Sequence, residues 1–219
     1  MKNHLMLMVI IVLFIFLLNI LLSIVQERLL SDITYQAILF VIAAYLFQMG
    51  LNLGLLRICL NMINNTDVNF SLLFASFHIL IPYCLATILY LAALLLAASP
   101  GLLLLLTTTS VNLDNLSSPT GSIPTILSII IMIVPAIYLS VRLQFYEYFL
   151  IDEECGVIES IKKSAEISKG YVLELFILGA ILSLIILISI IPMGLGLIFS
   201  IPLSMVAISY VYLKLKKIH

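Results

Sequence analysis

Arg57, Arg142, Glu147 and Glu174 are ionisable residues set in or beside long apolar runs. A charge in such surroundings is costly unless it is paired or faces a cavity. Residues of this kind therefore lock helices together by ion pairing or anchor a polar substrate. Arg142, Glu147 and Glu174 fall at one depth near the ends of two apolar runs, so the expected arrangement is an ion pair of Arg142 with Glu174 or Glu147. A substrate anchor at Arg142 is the sharper alternative. Gln48, Asn52, Arg57 and Asn61 add polarity to another run. At about 100° per residue, Gln48 and Asn52 share one helix face and Gly50, Gly54, Arg57 and Asn61 another. Gly50 and Gly54 form a G-x-x-x-G pair, which lets two backbones approach closely. Helix packing, with Arg57 snorkelling to the surface, is the expected role of that face.

Chemistry of other kinds finds little support. His78 has no second ligand at helical spacing, so no metal is expected. Cys59, Cys84 and Cys155 are scattered and show no C-x-x-C spacing; they read as small apolar fillers. Nothing resembles a nucleophile elbow, a Walker loop, a dinucleotide fingerprint or H-E-x-x-H. No catalytic residue and no cofactor is expected. Asn115-Leu116-Ser117 matches a glycosylation sequon, read as chance.

The elements that must position these residues follow from composition. Of 219 residues, 63% are hydrophobic and 10% charged, whereas soluble domains average about 45–50% and about 25%. The fold class is all-α: a polytopic membrane helix bundle, because a crossing takes about 20 apolar residues and the chain holds about six such runs. A net charge of −1 without a basic stripe excludes nucleic-acid binding. The expected spans are 5–25, 35–60, 72–98, 126–148, 171–191 and 196–213, in a single membrane domain. The first run has no small-x-small cleavage site after it and reads as an uncleaved span. Ser31 and Asp32 open the second element. Ser71 is the expected N-cap of the third, with Phe74, Phe77 and His78 at the interface. Pro100-Gly101 is expected to bend or end that span, leaving Leu102–Leu106 as a short extension. Residues 107–125, rich in Thr, Ser and Asn, read as a loop, and Pro192–Gly196 as a tight turn.

Placing the N-terminus in the cytoplasm puts Lys2, Arg57, Arg142, Lys162, Lys163, Lys169, Lys214, Lys216 and Lys217 at the inner face and only Arg28 outside. That bias orients the chain, with both termini inside. Between spans 4 and 5, residues 156–169 read as a short cytoplasmic amphipathic helix lying on the membrane. Val157, Ile158, Ile161 and Ala165 fall near one face, Glu159 pairs with Lys163, and Gly170 caps the end. The segment 156–170 is the expected contact for a membrane or cytosolic protein partner. The bilayer itself is the other partner.

Arg142, Asp152-Glu153, Gly156, Ile161-Lys162-Lys163-Ser164 and Lys169-Gly170 form a run with a familiar layout. It is similar to the six-span membrane domain found with some bacterial glycerophosphoryl diester phosphodiesterases and to related uncharacterised inner-membrane proteins. Pro202 and Tyr210-Val211-Tyr212 in the last span fit as well. The likeness covers about 125–215 well and the first half loosely. It implies the six-span fold and an inner-membrane address, but no reaction. The expected function is a non-catalytic membrane protein that assembles with a partner or supports envelope or lipid homeostasis. A small transporter or permease subunit is one alternative. A membrane component of a lipid- or glycerophosphodiester-processing system is another, with Glu147, Asp152, Glu153 and Glu174 as its available carboxylates.

Overall fold

The computed structural model describes residues 2–29, 35–111, 123–191 and 196–218. Among them there is helix and no strand: α1 (Lys2–Leu29), α2 (Tyr35–Ile63), α3 (Leu72–Ala75), a 3-10 turn (Ser76–Ile79), α4 (Leu80–Val111), α5 (Ile123–Leu143), α6 (Tyr146–Asp152), α7 (Val157–Ile167), α8 (Val172–Ile190) and α9 (Leu197–Lys216). Six stretches are long and apolar enough to cross a membrane: Leu7–Arg28, Tyr35–Ile63, Leu72–Thr107, Ile123–Asp152, Val172–Ile190 and Leu197–Lys216. The residues at 31–34, the turn at 192–195 and the sequon at Asn115 lie outside the described residues.

The third span departs most from expectation. Ser71 has helical backbone angles and makes no side-chain cap, so the N-cap is not realised. Phe74, Phe77 and His78 sit on α3 and the 3-10 turn, a wedge laid against α2. Five phenylalanine rings tie the wedge down. Phe14 of α1 meets Phe70 at 5.4 Å, Phe70 meets Phe74 at 6.3 Å, Phe74 meets Phe77 at 5.9 Å, and Phe77 meets Phe47 of α2 at 5.8 Å. Gly50 and Gly54 serve close packing as the G-x-x-x-G pair suggests, but the neighbour is this wedge rather than a crossing helix. A Cβ at Gly50 would stand 2.6 Å from the Phe77 ring, and one at Gly54 would collide with the Leu73 backbone.

Pro100 lies inside α4 and does not end it. Proline cannot donate to the carbonyl four residues back, which leaves the Leu96 oxygen short of a partner. The Ser99 hydroxyl donates to that oxygen at 2.8 Å. Such a substitution lets a proline persist in a membrane helix, where an orphan carbonyl would otherwise be costly. Gly101 adds a second reason for continuity: its bare Cα lies against the Met132 backbone of α5, and α4 packs along α5. Helix α4 thus reaches Val111 and α5 starts at Ile123, so both invade the segment expected to be a loop. Ser99→Ala should destabilise the α4–α5 pair by about 1–2 kcal/mol through the exposed carbonyl, read as a lower unfolding midpoint in detergent.

The fourth span is broken. α5 stops at Leu143 and α6 restarts at Tyr146, where a single helix to Tyr148 was expected. The main core gathers around α6. Phe145, Tyr148, Phe149 and Leu150 pack with Leu53 and Leu56 of α2, Tyr83 of α4, Leu175 of α8 and Tyr212 of α9. A second core joins Ile11 and Ile15 of α1 to Leu51, Leu55 and Ile58 of α2 and to Leu73 of the wedge. Both cores draw on the half of α2 that leads to its polar C-terminus. There Asn65 adopts a left-handed φ of 55°, which asparagine tolerates better than most residues. The Thr66 hydroxyl donates to the Asn61 carbonyl at 3.1 Å.

Candidate functional site

Three consecutive acidic residues run from the last residue of α6, Asp152, through Glu154, and together they reach four other elements. The Asp152 carboxylate accepts from the Tyr212 hydroxyl at 3.0 Å and from Lys216 Nζ at 2.6 Å, both on α9. Glu153 lies 2.8 Å from Lys216 and 2.7 Å from Lys163 of α7. Lys163 also meets Glu159 at 2.7 Å, the i,i+4 pair expected from the sequence. Glu154 Oε1 accepts from Arg57 of α2 at 3.0 Å and lies 3.3 Å from His78 Nε2 on the wedge. Glu154 takes a left-handed φ of 49°, a conformation costing a non-glycine residue about 1 kcal/mol. That turn aims its carboxylate at α2, away from Glu153. The acidic turn is thus a knot joining α2, the wedge, α6, α7 and α9. Arg57, in the last two turns of α2, finds a carboxylate partner at this turn.

The ion pairs set the charge state of the knot. Hydrogen bonds from Lys163 and then Lys216 hold the Glu153 carboxyl below its ordinary 4.5. Arg57 and then His78 do the same for Glu154, and Lys163 for Glu159. Glu153 and Glu159 in turn hold Lys163 protonated above its ordinary range. Burial pushes the Cys155 thiol up, which keeps it unreactive. Carboxyls lowered in the folded chain bind protons more readily once unfolded. Their stabilisation is therefore complete above the unfolded value and is lost as pH falls through the folded ones. The unfolding midpoint should drop as pH is lowered from about 5 to about 3, and Glu153→Gln should flatten part of that drop.

Arg142 pairs with neither Glu147 nor Glu174. Its Nη2 donates to the backbone carbonyl of Ala165 on α7 at 2.8 Å, and its guanidinium lies 5.9 Å from the Tyr138 ring. A carbonyl at a helix C-terminus can accept from a cation, so it stands in place of the expected ion pair, while the buried Arg142 Nε has no partner among the described residues. Glu174 is exposed at the start of α8, with no ion pair among the described residues. The neighbouring Ser164 closes the break between α5 and α6. Its hydroxyl accepts from the Phe145 N–H at 3.0 Å and donates to the Arg142 carbonyl at 3.2 Å. Helix α7 therefore turns Ser160, Ser164 and Ile167 inward, onto α4, α5 and α6. Of the face expected to lie on the membrane, Ile158 is 62% exposed within the chain. Ile167 in the core, with Val157 and Ile161 against it, holds this helix together with the serine hydrogen bonds. Gly170 does end the segment, at φ 90°.

Glu147 occupies a separate position. It lines a recess of about 450 Å3 with Asn52, Leu56, Tyr83, Gln144, Tyr148, Met205 and Ile208. A second recess of about 170 Å3, between α1, α2 and α9, shares Asn52 and Met205 with it and includes Asn19. The sequence placed Gln48 and Asn52 on one face, but only Asn52 lines these recesses. No group of three or more His, Cys, Asp or Glu among the described residues is arranged to hold a metal. The knot had escaped sequence reading: its partners Arg57, His78, Lys163 and Lys216 lie far apart in the chain. The one available signal was the acidic triplet itself.

Six stretches long and apolar enough to cross a membrane define a multi-pass membrane protein. The chain belongs to the family described as Protein of unknown function (DUF975), whose model matches residues 1–219. No curated protein and no solved structure matches it. The family match carries no link to glycerophosphoryl diester phosphodiesterases.

Proposed function

We propose that this chain is a non-catalytic protein of a bacterial inner membrane, with both termini and the charged end in the cytoplasm, and that it works by assembling with a protein partner. One observation carries the reading: the charged end spends its ionisable groups on its own architecture. Asp152, Glu153 and Glu154 are each tied to cations of the same chain, so the acidic triplet does not present free carboxylates for acid–base work. What projects from that end is the outer face of α7, where Ile158, Lys162, Glu166 and Lys169 are exposed. Ile158 is an apolar point among charges, the pattern of a contact surface rim.

A photo-crosslinker at Ile158 in the full-length chain, followed by purification from a mild detergent extract, tests the assignment. One stoichiometric adduct, absent when the crosslinker replaces buried Ser160, is the expected result. Absence of any adduct, together with solute uptake by reconstituted vesicles, would replace assembly with transport. That second reading draws on the two recesses that share Asn52 and Met205.

A further inference from the structure

Glu147 lies five residues before the end of α6, about 8 Å along the helix axis from the charged turn. It is a carboxylate that the knot does not use. No cation of the chain reaches it among the described residues. The nearby Arg142 donates to Ala165, Arg57 to Glu154, and Lys216 to Asp152 and Glu153. A carboxylate at membrane depth that faces a cavity marks a site for a polar or charged ligand.

The remaining wall specifies the ligand. The side-chain amides of Gln144 and Asn52 face the same recess as Glu147, and neither is engaged in a hydrogen bond within the described chain. Glu147, Gln144 and Asn52 thus offer three acceptors around one space, matching the three N–H donors of a primary ammonium group. The rings of Tyr83 and Tyr148 border the recess, and aromatic faces attract ammonium ions within about 6 Å. Leu56, Met205 and Ile208 supply apolar wall for the carbon chain attached to such a group. Asn52 is exposed, so the recess is open from outside the bundle.

We propose that the recess around Glu147 binds the primary ammonium group of an amphipathic amine, either a free alkylammonium ion or the headgroup of an aminolipid. The site is independent of the contact proposed for α7. An anionic ligand is disfavoured by Glu147, and a neutral apolar one would leave both amides unpaired and the carboxylate, which has the Tyr83 hydroxyl beside it, without a cation.

The test uses the purified full-length chain in detergent, with hexylammonium chloride and hexanol as probes. Hexylammonium should raise the unfolding midpoint in a dose-dependent way, and hexanol at equal concentration should not. Glu147→Gln, nearly isosteric, should weaken the hexylammonium response by about tenfold or more, while Glu174→Gln should leave it unchanged. Native mass spectrometry from vesicles of equal phosphatidylethanolamine and phosphatidylglycerol separates the sources. Selective retention of phosphatidylethanolamine, lost in Glu147→Gln, assigns the lipid headgroup. Equal retention of both lipids alongside hexylammonium binding assigns a free amine. The comparison of hexylammonium with hexanol on the unaltered chain stands even if the variant does not fold. Equal effects of the two probes, no effect of either, or a Glu147→Gln response matching the unaltered chain would overturn the proposal.

Discussion

Gly54→Val should yield almost no monodisperse protein. A Cβ at this position meets the carbonyl, carbonyl carbon and Cα of Leu73, all backbone atoms that no rotamer change can move. The α3 wedge would have to leave α2, and with it Leu73 would leave the second core. The Phe70, Phe74 and Phe77 rings would lose their neighbours on α1 and α2. His78 would be drawn away from Glu154, which opens one arm of the acidic knot. Overpacking alone costs about 1–3 kcal/mol, and here it is compounded by lost ring and ion contacts. Gly50→Ala provides the internal control. Its Cβ meets only the far edge of the Phe77 ring, which can turn aside. Size-exclusion profiles and unfolding midpoints of the two variants should therefore differ widely. Similar, near-native behaviour of both would show that the wedge is not packed as described.

Ser164→Ala is the second large effect. One hydroxyl serves both sides of the α5–α6 break, and the residue is fully buried. Its removal strands the Phe145 N–H and the Arg142 carbonyl together. Each stranded group costs about 1–3 kcal/mol. The damage should spread, because Ala165 next in sequence holds the Arg142 guanidinium. Ser164→Thr keeps the hydroxyl and should retain part of the stability that alanine loses. Hydrogen exchange offers a direct readout: amides of 143–149 should lose protection in the alanine variant, with α1 changed little.

The six spans were legible because their length in apolar residues is dictated by membrane thickness. The limits of that signal are seen at Pro100 and at Leu143. A proline reads as a stop, yet the Ser99 hydroxyl replaces the missing donor and the helix runs on. The break after Leu143 carries no glycine or proline, so nothing local announces it. Its unpaired backbone groups are met by Ser164, about twenty residues downstream. Arg142 was assigned a carboxylate partner because charge is what a sequence displays; the carbonyl it uses instead is invisible there. The G-x-x-x-G pair correctly signalled close approach at Gly50 and Gly54, but not the identity of the neighbour. Glu159–Lys163 was readable as a local pair, whereas Glu154 with Arg57 and His78 depends on the tertiary fold alone.

The orientation of the charged end underlies the whole functional reading, and cysteine accessibility tests it most directly. Lys162→Cys on α7 and Ser117→Cys between α4 and α5 should be probed in intact cells with a membrane-impermeant maleimide, against the parent chain as background. Labelling is expected at 117 in intact cells and at 162 only after the membrane is permeabilised. Labelling of 162 from outside, or of both positions from the same side, would contradict it.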